Sequence, residues 1–462
     1  MSDPMKPCNR FLWTIALLSL VRGAIAAEPP RPTNTELPNA IGQVSQRLLT
    51  EMLNMPVQQT TSVTDNVLGT RVRGSVTTHG KVVAQLVPNT RQGLIHLRFT
   101  GSTSSPGMVG HNGPATIFSS STSTANVWKP VILEELGIRH LPAEGTVNTR
   151  ISINNVTAKR RFVERIARRR ASSSQADARA VTSQHTKVRL AEEINRGAAG
   201  PLAKAQDYFL NSFRKPLADR GAAPKLMHFS STSDHLRVVL QQCSQSRQSP
   251  PTSMPQINPQ HDMAIALHQS SVCSLYEVFH SGETMHDKDF LQTMHLLTGE
   301  DPRPLRVHER TLRWSVTMAD KQPLDLNFAD GDASIALHLK SVTSGARRYD
   351  GTFSVAVRYQ FERTANGPRL NRQTDVQVDG QIGNGSPGEP GEAISLLRTK
   401  FSAVFQPTLM FDGLAPPTGG IWSKVGQMQL AQLDAQNGWL IVGYQLPHRE
   451  LLVASTVSMR LP

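Results

Sequence analysis

The chain has 462 residues, of which 38% are hydrophobic and 18% are charged, and its formal net charge at pH 7 is +13. This composition excludes a chain that is disordered throughout and is typical of a globular protein with a substantial core. The length allows two to three domains.

Residues 1–26 have the pattern of a secretory signal peptide. Two basic residues precede an apolar run from Phe11 to Val21, and Ala24-Ile25-Ala26 provides small residues for cleavage. The run is too short to cross about 30 Å of hydrocarbon as a helix, and an uncleaved anchor is the alternative. We therefore predict an exported, periplasmic or envelope-associated protein, strongly basic after cleavage and without a transmembrane helix.

A proline-, serine- and glutamine-rich segment, residues 244–260, has no apolar period and is typical of a linker. It separates two stretches of similar size, residues 27–243 and residues 261–462. Each begins with an apolar, helix-like segment, continues with strands and a helix, and ends in a hairpin. This order predicts two α+β units that arose by duplication.

Apolar and polar residues alternate through several segments of both halves. They are residues 82–86, 95–99, 312–318, 324–328, 335–339 and 353–361. Sustained alternation predicts antiparallel strands with one buried face and one solvent-exposed face, because parallel strands buried on both faces form continuous apolar runs.

The spacing F-x3-F-x3-L-x3-G-x2-P occurs once in each half, in residues 209–224 and 401–416. Residues four apart share a helical face, glycine permits a left-handed cap, and proline prevents continuation. The two apolar stripes are Phe209, Phe213 and Leu217, then Phe401, Phe405 and Leu409. We predict an α+β fold of two similar halves, each a curved antiparallel sheet packed on a long helix. A chance match is the alternative.

Two cysteines, Cys243 and Cys273, remain after removal of the predicted signal peptide. An even number of cysteines in an oxidising compartment usually forms disulfides. We predict that these two are joined across the linker, and two buried free thiols are the alternative.

The segment KRRFVERIARRR, residues 159–170, is strongly basic. Phe162, Val163 and Ile166 predict a helix with one packed face, while arginines occupy the remaining faces. Guanidinium groups suit phosphate and carboxylate, so we predict a binding site for an anionic headgroup. Its candidate residues are Arg160, Arg161, Arg165, Arg168, Arg169 and Arg170. A solvated basic helix that only keeps the chain soluble is the alternative.

Motifs for catalysis, cofactors and metal ions are weak. GNGSPG, residues 383–388, matches G-x-G-x-x-G, but its internal proline and antiparallel surroundings favour a surface loop. Neither G-x-S-x-G nor H-E-x-x-H occurs, and the histidines between His261 and His295 lack metal-ligand spacing. We therefore expect no enzyme activity, no cofactor and no metal ion. Low aromatic content and the predicted export argue against nucleic acid as a partner.

Three stretches together resemble a family of uncharacterised exported bacterial proteins. They are LVPNTRQGLIHLRFTGSTSSPGMVGHNGPATIFSS, HFSSTSDHLRVVLQQ and DMAIALHQSSVCSLYEVF. This resemblance implies export and no particular activity. More distantly, the predicted layout is similar to the tubular lipid-binding architecture of bactericidal and lipid-transfer proteins, which implies a lipid ligand.

The leading functional hypothesis is an exported, non-enzymatic envelope protein that binds a lipid or another amphipathic anionic ligand. The alternative is a structural or assembly protein that binds another envelope protein. An exported hydrolase with an unrecognised site is the third hypothesis.

Overall fold

The computed structural model describes residues 37–242, 251, 253–298, 302–306, 312–364, 367–383, 389–410 and 424–447. The predicted signal peptide, Cys243 and half of the predicted linker lie outside the described residues. The chain divides into two compact units. The N-terminal unit is Gln43–Leu240, and the C-terminal unit is Gln241–Pro462 together with Asn34–Gly42.

The N-terminal unit is built on one tall antiparallel sheet. Strand β1 (Ala40–Ser45), which contains the division between the units, leads into helix α1 (Gln46–Leu53). The sheet strands are β2 (Met55–Val67), β3 (Thr70–Val87), β4 (Gly93–Asn112), β5 (Ala115–Glu134), β6 (Gly137–His140) and β7 (Glu144–Ala158). Strands β2 to β5 pair in sequence, and β6 and β7 both pair with β5. The five long strands have 13 to 20 residues, beyond the usual three to ten, and form a half-barrel.

Helices follow the sheet in the N-terminal unit. They are α2 (Arg161–Ser173), α3 (Gln175–Asp207), a π-helical turn (Tyr208–Arg214) and α4 (Lys215–Ala218), and a hairpin of β8 (Leu226–Ser231) and β9 (His235–Gln241) comes last. Helix α3 has 33 residues, which gives a length of about 50 Å. None of its residues is buried.

One packed hydrophobic cluster of this unit lies at one end of the sheet. Ala84, Leu86, Ile95 and Val131 are buried there, close to the β3–β4 turn. Helix α1 and the C-terminal part of α3 contribute half-buried leucines, such as Leu202. Farther along the same face the central strands also bury apolar residues, such as Phe99 and Val127, whereas apolar residues on β2, β3 and β7 stay half-buried.

The C-terminal unit combines a second antiparallel sheet with three helices. Its elements are β10 (Met263–His268), α5 (Gln269–His280), β11 (Thr284–His286), α6 (Asp287–Thr298), a 3-10 turn (Arg303–Leu305), β12 (Trp314–Met318), β13 (Leu324–Ala329), β14 (Asp332–Ser344), β15 (Arg347–Thr364), β16 (Gly367–Arg372), β17 (Gln377–Ile382), α7 (Pro390–Val404), β18 (Thr408–Met410), β19 (Gln429–Gln436) and β20 (Trp439–Gln445). In the main sheet of this unit the hydrogen-bonded strands follow the order β11-β12-β14-β15-β16-β18. Strand β13 also pairs with β14, and β17 pairs with β15. Strand β20 pairs with both β10 and β19.

The predicted antiparallel strands are confirmed in both units. Leu324, Leu326 and Phe328 are buried while their neighbours are more exposed, as the alternation requires. One boundary was wrong, since the predicted strand at Leu312 begins at Trp314 and Leu312 itself is exposed.

The first copy of the repeated motif is helical but not one α-helix. Phe209 and Phe213 lie in the π-helical turn with their ring centroids 5.8 Å apart, and Leu217 is buried in α4. Gly221 has a φ of +67°, and the Ala222 amide donates to the carbonyl of Leu217 at 2.8 Å. The predicted left-handed glycine cap is therefore confirmed in this copy.

The second copy departs from the predicted helical stripe. Phe401 lies in α7 and is fully buried, but Phe405 is the C-cap and Leu409 belongs to strand β18. Pro407 explains the break, because proline lacks an amide hydrogen and keeps the preceding residue out of the helical region. The prediction of Leu409 as a helical residue was wrong, and the motif's glycine and proline lie outside the described residues.

His268 occupies a buried helix start in the C-terminal unit. Its Nδ1 is the N-cap acceptor for the Ser270 amide at 3.2 Å, and its ring lies 5.2 Å from that of Trp439. Burial lowers the pKa of His268 from 6.5 to about 4. The folded state therefore favours the neutral ring.

We expect Phe401→Ala to lower the free energy of unfolding by about 3–5 kcal/mol, because a fully buried ring leaves a cavity. Phe405→Ala is the matched control, since Phe405 is only half-buried, and it should cost clearly less. Urea denaturation monitored by tryptophan fluorescence measures both. A loss below about 1 kcal/mol for Phe401→Ala would contradict its place in the core.

We also expect the unfolding free energy to fall by about 2–3 kcal/mol between pH 7 and pH 4.5 through His268 alone. The pKa is lower in the folded state, so unfolding takes up a proton. This contribution is complete above the unfolded pKa near 6.5 and is lost as the pH falls toward 4.

His268→Asn keeps an N-cap acceptor without titrating. The difference between wild type and this variant, measured by urea unfolding at both pH values, isolates the histidine. Equal pH dependence in the two proteins would refute the assignment.

Candidate functional site

The predicted basic helix forms α2, at the end of strand β7. Arg160 is the extended N-cap residue, and Arg161 begins the helix. The Arg168 guanidinium donates to Glu164 at 3.1 Å and to the backbone oxygen of Val156 at 3.3 Å. These bonds fix the rotation of α2 about its axis, because one side of the helix must face β7.

The side of α2 that packs differs from the prediction. Val163 and Ala167 are half-buried, whereas Phe162 is 72% exposed and Ile166 is 52% exposed. The prediction that Phe162 and Ile166 pack inward was therefore wrong. Arg168 reaches β7 from the packed side, which turns the Phe162 and Ile166 side of α2 to solvent.

Three of the six candidate arginines line one shallow surface depression. Its lining is Arg165, Arg168, Arg169, Ser172 and Ser173, with a volume of about 500 Å³. In the described part of the chain, Arg168 has the carboxylate partner Glu164, and none is found for Arg165 or Arg169. Guanidinium and hydroxyl donors together suit a phosphate or carboxylate group.

Arg160, Arg161 and Arg170 lie outside that depression. Arg160 and Arg161 stand where β7 passes into α2, and Arg170 is in the last turn of the helix. All three are exposed and contribute charge to the same end of the sheet.

Helix α3 is bonded to both edge strands of the half-barrel. On β7, the Ile151 oxygen accepts from Gln175 at 2.8 Å, and the Thr149 amide donates to Ser183 at 3.2 Å. On β2, the Asp65 carboxylate binds Arg189 and lies 2.9 Å from the Nδ1 of His185. The helix therefore bridges the gap between the two edges.

Lys129 is a further buried contact between the sheet and α3. Its ammonium donates to Asn195 at 2.8 Å and to the Leu141 oxygen at 2.9 Å, and burial lowers its pKa. Asn195 also accepts from the Ala143 amide at 3.1 Å. This polar cluster holds the middle of α3 against β5 and the loop before β7.

The sheet face that carries Asp65 and Lys129 faces α3, and the strand register assigns further residues to it. Val72 pairs with Asp65, and Ile151 pairs with Ser121, which alternates in phase with Lys129. Apolar residues on this inner face that remain half-buried include Val63, Val72, Val76, Val147, Ile151 and Ile153. These residues lie on β2, β3 and β7, so apolar surface near the sheet edges stays partly accessible beneath a helix that buries none of its own residues, while the central strands β4 and β5 bury theirs.

The predicted cysteine pair and the histidines lie elsewhere. Cys273 is buried in α5, and burial raises the pKa of its thiol to about 12. Its predicted partner Cys243 lies outside the described residues, so the disulfide stays a prediction. His261 and His268 are buried, and in the described part of the chain no group of three metal-binding side chains converges.

Sequence reasoning missed the residues that attach α3 to β2. Asp65, His185 and Arg189 are isolated in the sequence and belong to no motif, so only the fold brings them together. The exposed Phe162 was visible in the sequence but was assigned to the wrong side of its helix.

No protein-family model matches this chain, and no curated protein matches it. The solved structures that are similar at low scores include the following two. A lipopolysaccharide binding protein has 11% identity and a TM-score of 0.30, over 89% of this chain and 100% of that one. P47 from Clostridium botulinum A2 has 10% identity and a TM-score of 0.25, over 89% and 98%. Both scores lie below 0.5, so neither likeness supports a conclusion about fold or function. Among the described helices, none is long and apolar enough to span a membrane.

We expect Asp65→Ala to release α3 from β2 and to lower the unfolding free energy by about 1–2 kcal/mol, because Arg189 loses its carboxylate. Amide hydrogen exchange of β2 and of the middle of α3 should become faster. Glu193→Ala is the matched control, since it removes an exposed ion pair with Arg196 on the same helix. Equal effects of the two substitutions would contradict a closing role for Asp65.

Proposed function

We propose that this protein is an exported, non-enzymatic envelope protein that binds a lipid or another amphipathic anionic molecule. The apolar chain of the ligand lies between the inner face of the sheet and α3. Its charged headgroup binds the arginines of α2. The accessible apolar inner face is the observation that carries the proposal.

The pattern of burial favours an apolar occupant for this space. Val76 on β3 and Ile151 on β7 point toward α3 and yet stay half-buried, whereas Phe99 and Val127 of the central strands are buried on the same face. Covering apolar surface stabilises a complex by about 25 cal/mol for each Å² removed from water. A polar ligand would gain nothing from these valines and isoleucines.

The positive charge of α2 favours an anionic headgroup. Arg165 and Arg169 stand in a depression that also offers the Ser172 and Ser173 hydroxyls. Arg168 of the same depression binds the oxygen of Val156, a buried residue on the inner face. Headgroup and chain sites are therefore adjacent, as one amphipathic molecule requires.

The assembly alternative has less support in the N-terminal unit. It requires open sheet edges that pair with another protein. Both edge strands here contact α3, through Asp65 on β2 and through Thr149 and Ile151 on β7.

The proposed duplication has support in repeated hydrogen bonds. Near the first helix, the Leu86 amide donates to the side chain of Gln46 at 2.5 Å, and the Gln46 amide donates to the oxygen of Asp234 at 2.6 Å. The Gln242 amide donates to the side chain of Asn39 at 2.7 Å.

The same three bonds recur near α5. The Phe328 amide donates to the side chain of Gln269 at 3.0 Å, and the Gln269 amide donates to the oxygen of Gly438 at 2.8 Å. The Leu446 amide donates to Asp262 at 2.8 Å. Each glutamine begins a helix directly after a strand, and each hairpin contributes the same two groups. We infer that the two halves derive from one ancestral unit.

Binding of a fluorescent long-chain fatty acid tests the proposed function. Ser121→Phe places a large ring on the inner face and should weaken binding at least about tenfold. Thr122→Phe is the matched control, because Thr122 is the next residue of β5 and points outward to solvent. Thermal melts check that both variants fold. If the phenylalanine ring at position 121 unfolds the protein, the smaller substitution Ser121→Leu is used in its place.

A second comparison tests the proposed headgroup site. It uses the long-chain alcohol that has the same chain as the fatty acid but no carboxylate. Replacing Arg165 and Arg169 with Gln should weaken fatty-acid binding and leave alcohol binding unchanged. Wild-type protein that binds neither probe, or a Ser121→Phe variant that binds like wild type, would rule out the proposed function.

A further inference from the structure

One end of the N-terminal sheet brings together three chain segments. They are the turn Leu68–Gly69, the turn Gly113–Pro114 and the passage Lys159–Arg160 into α2. The strand register places them side by side, since Val67 pairs with Thr70, Asn112 pairs with Ala115, and Ala115 pairs with Ala158. This end, which we call the α2 end, lies opposite the packed core near the β3–β4 turn.

Large apolar side chains are exposed at the α2 end. Phe162 and Ile166 lie one helical turn apart on the outer side of α2, and Leu68 of the β2–β3 turn, at the same end of the sheet, is 47% exposed. Leu68 has a φ of +50°, a conformation that bulky residues rarely adopt, and Gly69 follows with +77°. The tight turn thus projects a leucine where asparagine or glycine is usual.

Positive charge surrounds these apolar groups. Arg71 and Arg73 are exposed on β3 beside the Leu68 turn, and Lys159 and Arg160 precede α2 with its own arginines. Two carboxylates of this region are already paired with arginines, Asp65 with Arg189 and Glu164 with Arg168. The α2 end therefore has a strong net positive charge.

We propose that the α2 end docks on the surface of an anionic lipid bilayer. Phe162 and Ile166 enter the boundary between headgroups and acyl chains, and the surrounding arginines bind lipid phosphates. Clustered basic residues are attracted to the negative surface potential of an anionic membrane. The inference shares α2 with the proposed function but does not require a ligand beneath α3.

The combination of exposed apolar side chains and positive charge favours a lipid bilayer, and not a soluble polyanion, as the partner of this surface. A polyanion gains from the arginines but leaves Phe162 and Ile166 in water. A helix that binds in the membrane interface has an apolar face, which enters the lipid, and basic residues around it, which bind the headgroups.

The other end of β5 provides an internal control. Leu136 follows this 20-residue strand and is 71% exposed, nearly as much as Phe162 at 72%. The residues that precede Leu136 are acidic, Glu134 and Glu135. It lies about 65 Å along the strand from the α2 end. Docking through the α2 end leaves Leu136 in water.

Flotation of the mature chain, freed of bound lipid, with phosphatidylglycerol and phosphatidylcholine vesicles tests the inference. Wild type should bind vesicles that contain phosphatidylglycerol, more weakly as salt rises, and should ignore pure phosphatidylcholine. Phe162→Ser with Ile166→Ser should weaken binding at least about tenfold, and Leu136→Ser should bind like wild type.

A second measurement locates the contact without removing it. Phe162→Trp should become quenched by brominated phospholipids beyond the wild-type background, whereas Leu136→Trp should not. Three results would overturn the inference: no binding of wild type to the anionic vesicles, undiminished binding of the double serine variant, or an unquenched tryptophan at position 162.

The fatty-acid assay separates this inference from the proposed function. A double serine variant that loses vesicle binding but keeps its fatty-acid affinity supports docking as a distinct property. Loss of fatty-acid binding in Ser121→Phe, with vesicle binding undiminished in the double serine variant, supports the ligand and rejects the docking surface.

Discussion

The attachment of α3 to both edges of the half-barrel determines the rest of the N-terminal unit. A tall open sheet has two rows of unpaired backbone groups, which would otherwise pair with another chain. Side chains of α3 meet these edges, with Arg189 on Asp65 at β2 and Ser183 on Thr149 at β7. Because polar contacts hold the helix, its apolar surface does not have to be buried.

In this arrangement, the residues that stabilise the fold differ from those proposed to bind the ligand. Leu86, Ile95 and Val131 build a packed cluster at one end, while Val76 on β3 and Ile151 on β7 stay half-buried beneath α3. A fully packed interior would leave no room for a ligand. Small residues on the inner face, such as the half-buried Ser121, take less of the space beneath α3 than larger side chains would, and α2 adds positive charge nearby.

The sequence predicted the strands well because side chains alternate with a period of two wherever one face is covered. Helical details were harder to predict. The repeated motif predicted buried Phe401 and Leu217, but Pro407 ended α7 before Leu409. The arginines of α2 were visible as composition, whereas the outward position of Phe162 depends on how Arg168 meets β7. Contacts such as Asp65 with Arg189 depend on strand register and have no local signal.

Photocrosslinking is the most direct measurement of the central claim, that an apolar chain lies between the sheet and α3. A fatty acid with a diazirine at the end of its acyl chain is bound, irradiated and located by peptide mapping. We expect adducts on inner-face residues such as Val76 and Ile151 and on α3. Adducts confined to outward residues of the same strands, such as Thr122 and Arg150, would contradict it.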